Sequence, residues 1–258
     1  MKNKLEVRVL GTGTSQGVPM VACKCAVCHS DDSKDKRLRS SILFTWNDES
    51  FVIDTGPDFR YQMLRENIQS LRGVIYTHEH KDHIAGMDDI RAFNYAEKRD
   101  MEIYCSKDVE KALKREFYYA FLEDPYPGVP KLNLNIIRNR PFQLIDGPMV
   151  TPILGYHYKM QVFGFRVANF AYITDVNRFP DGELEKLKGL DVLILDCLRI
   201  EPHISHLNLA GALEVIKYIQ PKMTYLTHIS HLFGKHQDIM EMLPQNVEPA
   251  YDGLRLSL

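Results

Sequence analysis

Apolar runs that each end on a potential metal ligand constrain this chain more than any other feature. "GVIYTHEH" (Gly73 to His80), "FGFRVANFAYITD" (Phe163 to Asp175), "DVLILD" (Asp191 to Asp196) and "MTYLTHISH" (Met223 to His231) read as inner strands with polar tips. His80, Asp175, Asp196 and His228 stand at or just past the carboxyl ends of these runs. In open sheets, groups at strand carboxyl ends converge on one edge, where loops assemble a site. The pattern therefore predicts an α/β protein with its chemistry at a sheet edge.

The other segments agree. "LEVRVL" (Leu5 to Leu10) alternates with period two and runs into the glycine-rich turn "GTGTSQG". "SILFTW" and "SFVIDTG" flank "NDE", a hairpin-like connection, and "IYC" (Ile103 to Cys105) adds a further strand. Helices fit "PDFRYQMLREN", "DVEKALKREFYYAF" and "HLNLAGALEVIKYI", where apolar residues recur at intervals of three or four. No low-complexity linker interrupts this rhythm. With 258 residues, 45% of them hydrophobic, the chain can bury a large core.

Charge and segment patterns exclude several function classes. Thirty-two basic residues against 34 acidic ones leave a net charge of −2, which gives no strong attraction to long nucleic acid. A small anionic substrate stays open. The first fifteen residues never reach a signal-peptide apolar stretch, and no run approaches the roughly 18 apolar residues of a membrane span. The expectation is a cytoplasmic protein without membrane partners, in which five cysteines serve as thiolates or buried thiols.

"THEHKDH" (Thr77 to His83) concentrates the chemistry. His78, His80, Asp82 and His83 offer imidazole nitrogen and carboxylate oxygen, the donors that zinc and similar divalent ions accept. His78 and His80 share a face of an extended strand and can grip one ion, while the following turn aims Asp82 and His83 at another. Two cations a few ångströms apart would form a clamp for hydrolysis. Three histidines within six positions, out of ten in the chain, are improbable by chance. His228 competes with His231 and His236 as a further ligand, and its immediate exit from an apolar strand favours it.

"HEHKDH" resembles the HxHxDH motif of the metallo-β-lactamase superfamily, and "VIDTG", "GYHYK", "YITD" and "LTH" follow in that family's order. The resemblance covers nearly the whole chain and implies one domain over residues 1–258. The implied fold is α/β, a four-layer αββα sandwich of two face-to-face sheets with helices outside. It implies that His78, His80 and His157 bind one ion, that Asp82, His83 and His228 bind the other, and that Asp175 bridges them. Asp54 would stand beside the metal histidines.

"CKCAVC", in the loop 17–31, sets Cys23, Cys25 and Cys28 in a C-x-C-x-x-C spacing, enough for three thiolates around one zinc. The fourth ligand is open between the adjacent His29, which would point away, and His231, three residues after His228. Cys105 and Cys197, alone in apolar strands, read as buried thiols. "GTGTSQGVPMVACKCAVC" followed by HxHxDH is similar to the phosphoribosyl cyclic phosphodiesterases of the carbon–phosphorus lyase pathway, a ribonuclease Z-like branch without the long tRNA-gripping arm. That similarity implies a structural zinc held by Cys23, Cys25, Cys28 and His231. G-x-G-x-x-x-G does not meet the dinucleotide fingerprint, so Gly11, Gly13 and Gly17 read as a tight turn.

Ester cleavage also needs a proton for the departing alkoxide, and a histidine suits that task. By similarity His206, ahead of "LNLAGALEVI", takes this part, while His203 is assigned none. The expected function is hydrolysis of small, cyclic, ribose-containing phosphodiesters by water activated between two zinc or manganese ions. His206, Asp82 and Asp54 would be the catalytic group. A ribonuclease Z-like nuclease and a thioesterase or lactonase are the alternatives within the superfamily; a non-catalytic metal-dependent scaffold is disfavoured by the intact ligand set. The aromatic segment 115–132 reads as a lid or wall beside the site, or as a core or homodimer contact.

Overall fold

A computed structural model describes residues 4–258, so the first three positions of the expected domain lie outside the described residues. One seven-stranded sheet contains β1 (Leu5–Gly11), β2 (Ser41–Trp46), β3 (Glu49–Ile53), β4 (Gly73–Ile75), β5 (Met101–Cys105), β6 (Leu132–Ile136) and β14 (Arg255–Ser257). Its order is β14-β1-β2-β3-β4-β5-β6, with β3 to β6 parallel. The second contains β7 (Phe142–Gln143), β8 (Met149–His157), β9 (Met160–Val167), β10 (Phe170–Ile173), β11 (Val192–Asp196), β12 (Met223–Thr227) and β13 (Val247–Pro249) in the order β13-β12-β11-β10-β9-β8-β7. There β10 to β13 run parallel.

Period-two alternation explains the layers, because both faces of each sheet are buried. Leu5, Val7, Val9, Ile42, Phe44, Phe51 and Ile53 of the first sheet meet Phe163, Phe165, Phe170, Tyr172, Val192 and Ile194 of the second in one core. The intervening Leu43, Val52 and Val74 face outward onto α1 (Phe59–Arg65), α2 (Lys81–Ile84), α3 (Arg91–Glu97) and α4 (Lys107–Glu116). Ala171, Ile173, Leu193 and Leu195 do the same against α5 (Leu209–Ile219) and α6 (His236–Met242). The result is the αββα sandwich. No helix among the described residues is long and apolar enough to cross a membrane.

Several local expectations need correction. Phe163 to Asp175 is not one strand: Ala168 takes a positive φ of 49° and folds it into the β9–β10 hairpin. The expected helix through Phe121 ends at Glu116, and Tyr118–Phe121 forms a 3-10 turn. Asn208 caps α5 by accepting from the Gly211 N–H at 3.1 Å, so His206 precedes the helix and lies in a loop. Segment 115–132 touches the ligand-bearing α2 at its start, where Lys81 pairs with Glu116. From there it is tied to the 3-10 turn Met87–Ile90, with Tyr119 donating to Asp88 at 2.6 Å, and to α3, with Lys131 N–H donating to Asn94 at 3.0 Å. Its last residues flank the amino ends of β5 and β6, opposite the histidine-bearing end.

Candidate metal centre

Three strand-ending residues adopt the left-handed backbone region: Asp54 (φ 66°) after β3, Asp175 (φ 53°) after β10 and His228 (φ 58°) after β12. That conformation is uncommon without glycine and tends to persist where surrounding contacts demand it. Here it breaks the strand pleat and turns each side chain at the carboxyl edge.

Asp54 organises the first group from a fully buried position. Its carboxylate accepts from the Thr77 N–H at 2.9 Å, from the Thr77 hydroxyl at 2.8 Å and from His83 Nδ1–H at 2.7 Å. With that proton on Nδ1, His83 presents an Nε2 lone pair. This Nε2 lies 3.2 Å from Asp82 Oδ2 and 3.3 Å from Asp175 Oδ1. The ligand turn is pressed onto the Asp54 loop: Thr55 N–H donates to His83 O at 2.8 Å, and a Cβ on Gly56 would lie 2.2 Å from Asp82 O. Only glycine permits that approach.

Asp175 occupies the centre. Its Oδ2 is 3.9 Å from His78 Nε2, and its Oδ1 is 3.0 Å from His228 Nδ1. Donor atoms of His78, His80 and Asp175 lie within 4.8 Å of one another, as do those of His83, Asp175 and His228, and those of His157, Asp175 and His206. His157, at the end of β8, donates from Nδ1 to Ser205 O at 2.8 Å, which leaves its Nε2 free as a ligand. The fold thus brings all seven expected ligands, from four separate stretches of chain, to one edge. His236 is elsewhere, with its Nδ1 3.4 Å from Arg37.

The electrostatics fit cations. Asp54, Asp82, Asp175 and Asp196 are buried, and among the described residues their ion-pair partners are histidines. Burial alone would lower the His83 pKa, but Asp175, Asp54 and Asp82 together raise it well above the ordinary imidazole value. Burial, then His83, holds His78 well below that value. For Asp175, burial opposes ionisation, yet His228 and His83 hold its carboxyl well below the usual range. Meanwhile the buried Nε2 atoms of His78 and His83 have no hydrogen-bond partner. Buried nitrogens left without partners are costly, and a nitrogen and oxygen set of this kind suits a divalent cation such as zinc or manganese. The residues fit divalent metal ions.

His206 lies against this group, its ring centroid 4.5 Å from that of His157 and 4.7 Å from that of His228. Asp196 holds it: one carboxylate oxygen is 3.4 Å from His206 Nδ1 and the other accepts from the Leu207 N–H at 3.0 Å. Burial lowers the His206 pKa, but Asp196 and then Asp175 leave it raised overall. Asp196 also accepts from the Asp175 N–H at 3.2 Å. Sequence reasoning set Asp196 at the converging edge without assigning it a specific role, although an aspartate closing "DVLIL" carries the same signal as the one closing "FAYIT".

A second cluster lies beyond His228. Cys23, Cys25, Cys28 and His231 offer four donor atoms within 4.8 Å of one another. His231 Nδ1 is 3.3 Å from Cys23 Sγ and 3.4 Å from Cys25 Sγ. The Cys28 N–H and then His231 pull the Cys25 thiol down to about 6, so a thiolate is available at neutral pH. His29 turns away, its Nδ1 3.2 Å from Cys25 O. Cys105 and Cys197 are buried, and burial raises both thiols.

Residues 49–229 match the model of the β-lactamase superfamily domain. Among solved structures, a new diphosphatase from the PhnP family is 36% identical, with a TM-score of 0.92 over 99% of this chain and 97% of that one. An octanoyltransferase of Porphyromonas gingivalis is 37% identical over 95% of this chain, which spans only 50% of that relative's length. A ribonuclease Z of Borreliella afzelii is 23% identical over 81% of this chain and 85% of its own length.

Proposed function

This chain belongs to the β-lactamase superfamily, in the PhnP-like branch related to ribonuclease Z, and from that premise we propose that it is a metal-dependent hydrolase of small phosphodiesters. The observation that carries the reading is the pairing of two ligand groups on Asp175 with an aspartate-held histidine, His206, against them. His78, His80 and His157 would hold one divalent ion and Asp82, His83 and His228 the other. Such ions lower the pKa of water and screen charge on phosphoryl oxygens.

The chain's own residues supply the rest. Asp54 fixes the tautomer of His83, and the Ser205 carbonyl fixes that of His157. Asp196 orients His206 and favours its protonated form, so that its proton can pass to the leaving oxygen as the phosphorus–oxygen bond breaks. Asp82 is held ionised chiefly by His83 against the cost of burial.

Substrates of two kinds suit this arrangement. Cyclic, ribose-containing phosphodiesters follow from the sequence resemblance, and a diphosphate linkage is favoured by the similarity to the PhnP-family diphosphatase. The near-neutral charge argues against a long RNA. Three thiols offered to a structural zinc by Cys23, Cys25 and Cys28 suit the reducing cytoplasm.

The test compares metal-loaded with chelator-stripped protein on bis(4-nitrophenyl) phosphate, a 2′,3′-cyclic nucleotide, a dinucleoside diphosphate, a thioester and a lactone. Metal-dependent turnover of the phosphate compounds is expected. A preference for the thioester or lactone overturns the reading.

A further inference from the structure

Resting on that phosphoester reading, we propose that His203 binds the leaving group, donating a hydrogen bond from Nε2 to an oxygen of the portion that departs from phosphorus. The order of the rings carries the inference. His206 is 4.5 Å from His157 and 4.7 Å from His228 between centroids, and His203 is 5.2 Å from His206. His203 makes no ring contact with the ligand histidines among the described residues, so His206 stands between it and them. A substrate with phosphorus at the ligand cluster and its departing oxygen at His206 extends onward to His203.

The loop that carries His203 is built to hold still. Arg199 folds back on it, donating from Nε to Glu201 O at 3.3 Å and from Nη2 to Pro202 O at 3.1 Å. Asn208 donates to Ile200 O at 3.0 Å, Asn177 to Ile204 O at 2.9 Å and His157 to Ser205 O at 2.8 Å. A segment without regular structure is thus tied at five carbonyls. Such anchoring reduces the ordering cost of binding.

The ring itself is set as a donor. Ser205 N–H donates to His203 Nδ1 at 3.4 Å, with the Ser205 hydroxyl 3.2 Å away. An accepting Nδ1 places the proton of the neutral ring on Nε2. That Nε2 has no protein partner among the described residues, and His203 is exposed at the surface. A neutral N–H donor recognises an acceptor oxygen, supplied either by the second phosphate of a diphosphate or by a hydroxyl of a departing sugar.

Metal-loaded wild type, His203→Phe and His203→Gln separate these sources. Phe keeps the ring without the donor, and Gln restores an N–H at similar reach. For the dinucleoside diphosphate or the cyclic nucleotide, KM should rise about tenfold in His203→Phe with kcat within about twofold, and His203→Gln should recover most of it. A rise confined to the diphosphate identifies phosphate as the acceptor; a rise with the cyclic nucleotide identifies the sugar. Bis(4-nitrophenyl) phosphate, whose departing aryl oxide carries beyond the ester oxygen only the weakly accepting nitro oxygens at the far end of a rigid ring, should change less than about twofold. Calorimetric titration with adenosine monophosphate reads the same contact without turnover. Equal affinity in wild type and His203→Phe overturns the inference, as does a wild type that neither binds the monophosphate nor turns over either substrate. Weakened binding in His203→Phe by a protein that hydrolyses no phosphate ester would strike the proposed function alone.

Discussion

His83 Nδ1 lies 2.7 Å from Asp54 Oδ2, and both side chains are wholly buried. The tip of β3 and the short helix α2 that follows β4 are thereby joined at the place where a ligand's orientation is decided. Asp54→Asn removes the charge that holds the Nδ1 proton and puts an amide where the imidazole expects an acceptor. Metal affinity should fall by about 10- to 100-fold, measured by competition with a chromophoric chelator. Unchanged affinity would show that His83 is oriented by packing alone.

His206→Ala should lower kcat by roughly 10²- to 10⁴-fold for alkyl leaving groups and far less for activated nitrophenyl esters. Equal loss on both substrates removes His206 from the acid role. Because its pKa is raised by Asp196 against burial, Asp196→Asn should lower that pKa. The acid form would then be lost sooner as pH rises, moving the basic limb of the kcat profile to lower pH. An unmoved limb would refute the pairing.

The cysteine cluster can be counted by elemental analysis. Cys25→Ser should remove one equivalent of zinc while leaving the metal bound near His83, and should lower the thermal midpoint by several degrees. The effect should extend to the active edge, because Ile229, between His228 and His231, donates to Thr12 O at 2.8 Å beside the cysteine loop. Wild-type zinc content in the variant would contradict the assignment.

Stability should depend on pH through His236. Burial and then Arg37 lower its pKa to about 4 from an ordinary 6.5. A depressed folded-state value means the unfolded chain takes up the proton first, so stability is complete above pH 6.5 and declines as pH falls toward 4. Urea midpoints measured across this window should show a shallower decline in His236→Gln. An identical slope in both proteins rules His236 out.

Phe165 is fully buried between the sheets, in T-shaped contact with Phe142 at 6.4 Å. Phe165→Ala should cost about 3 to 5 kcal/mol in urea unfolding, since the paired sheets cannot collapse around the cavity.

Much of this was legible in short windows. Local alternation marks strands because side chains repeat every two residues, and the ligand types of His78 to His83 fall within a single turn. The hairpin at Asn47 and Asp48 announces itself through residues that tolerate positive φ, 53° and 100° here. The β9–β10 hairpin was hidden, because the positive φ falls on Ala168, which does not signal it, and Asn169 stands as a single turn residue inside an apolar run.

Composition and spacing by themselves determined the donor chemistry, the inner strands and the thiolate loop, all of which depend on neighbours a few residues apart. Tertiary structure alone decided which donors meet. His231 reaches Cys23 across 208 positions, Asp54 reaches His83 across 29, and Asp196 meets His206 only because the loop between β11 and α5 folds back across 10. Such contacts depend on sheet order and register, and a list of residue types does not contain those.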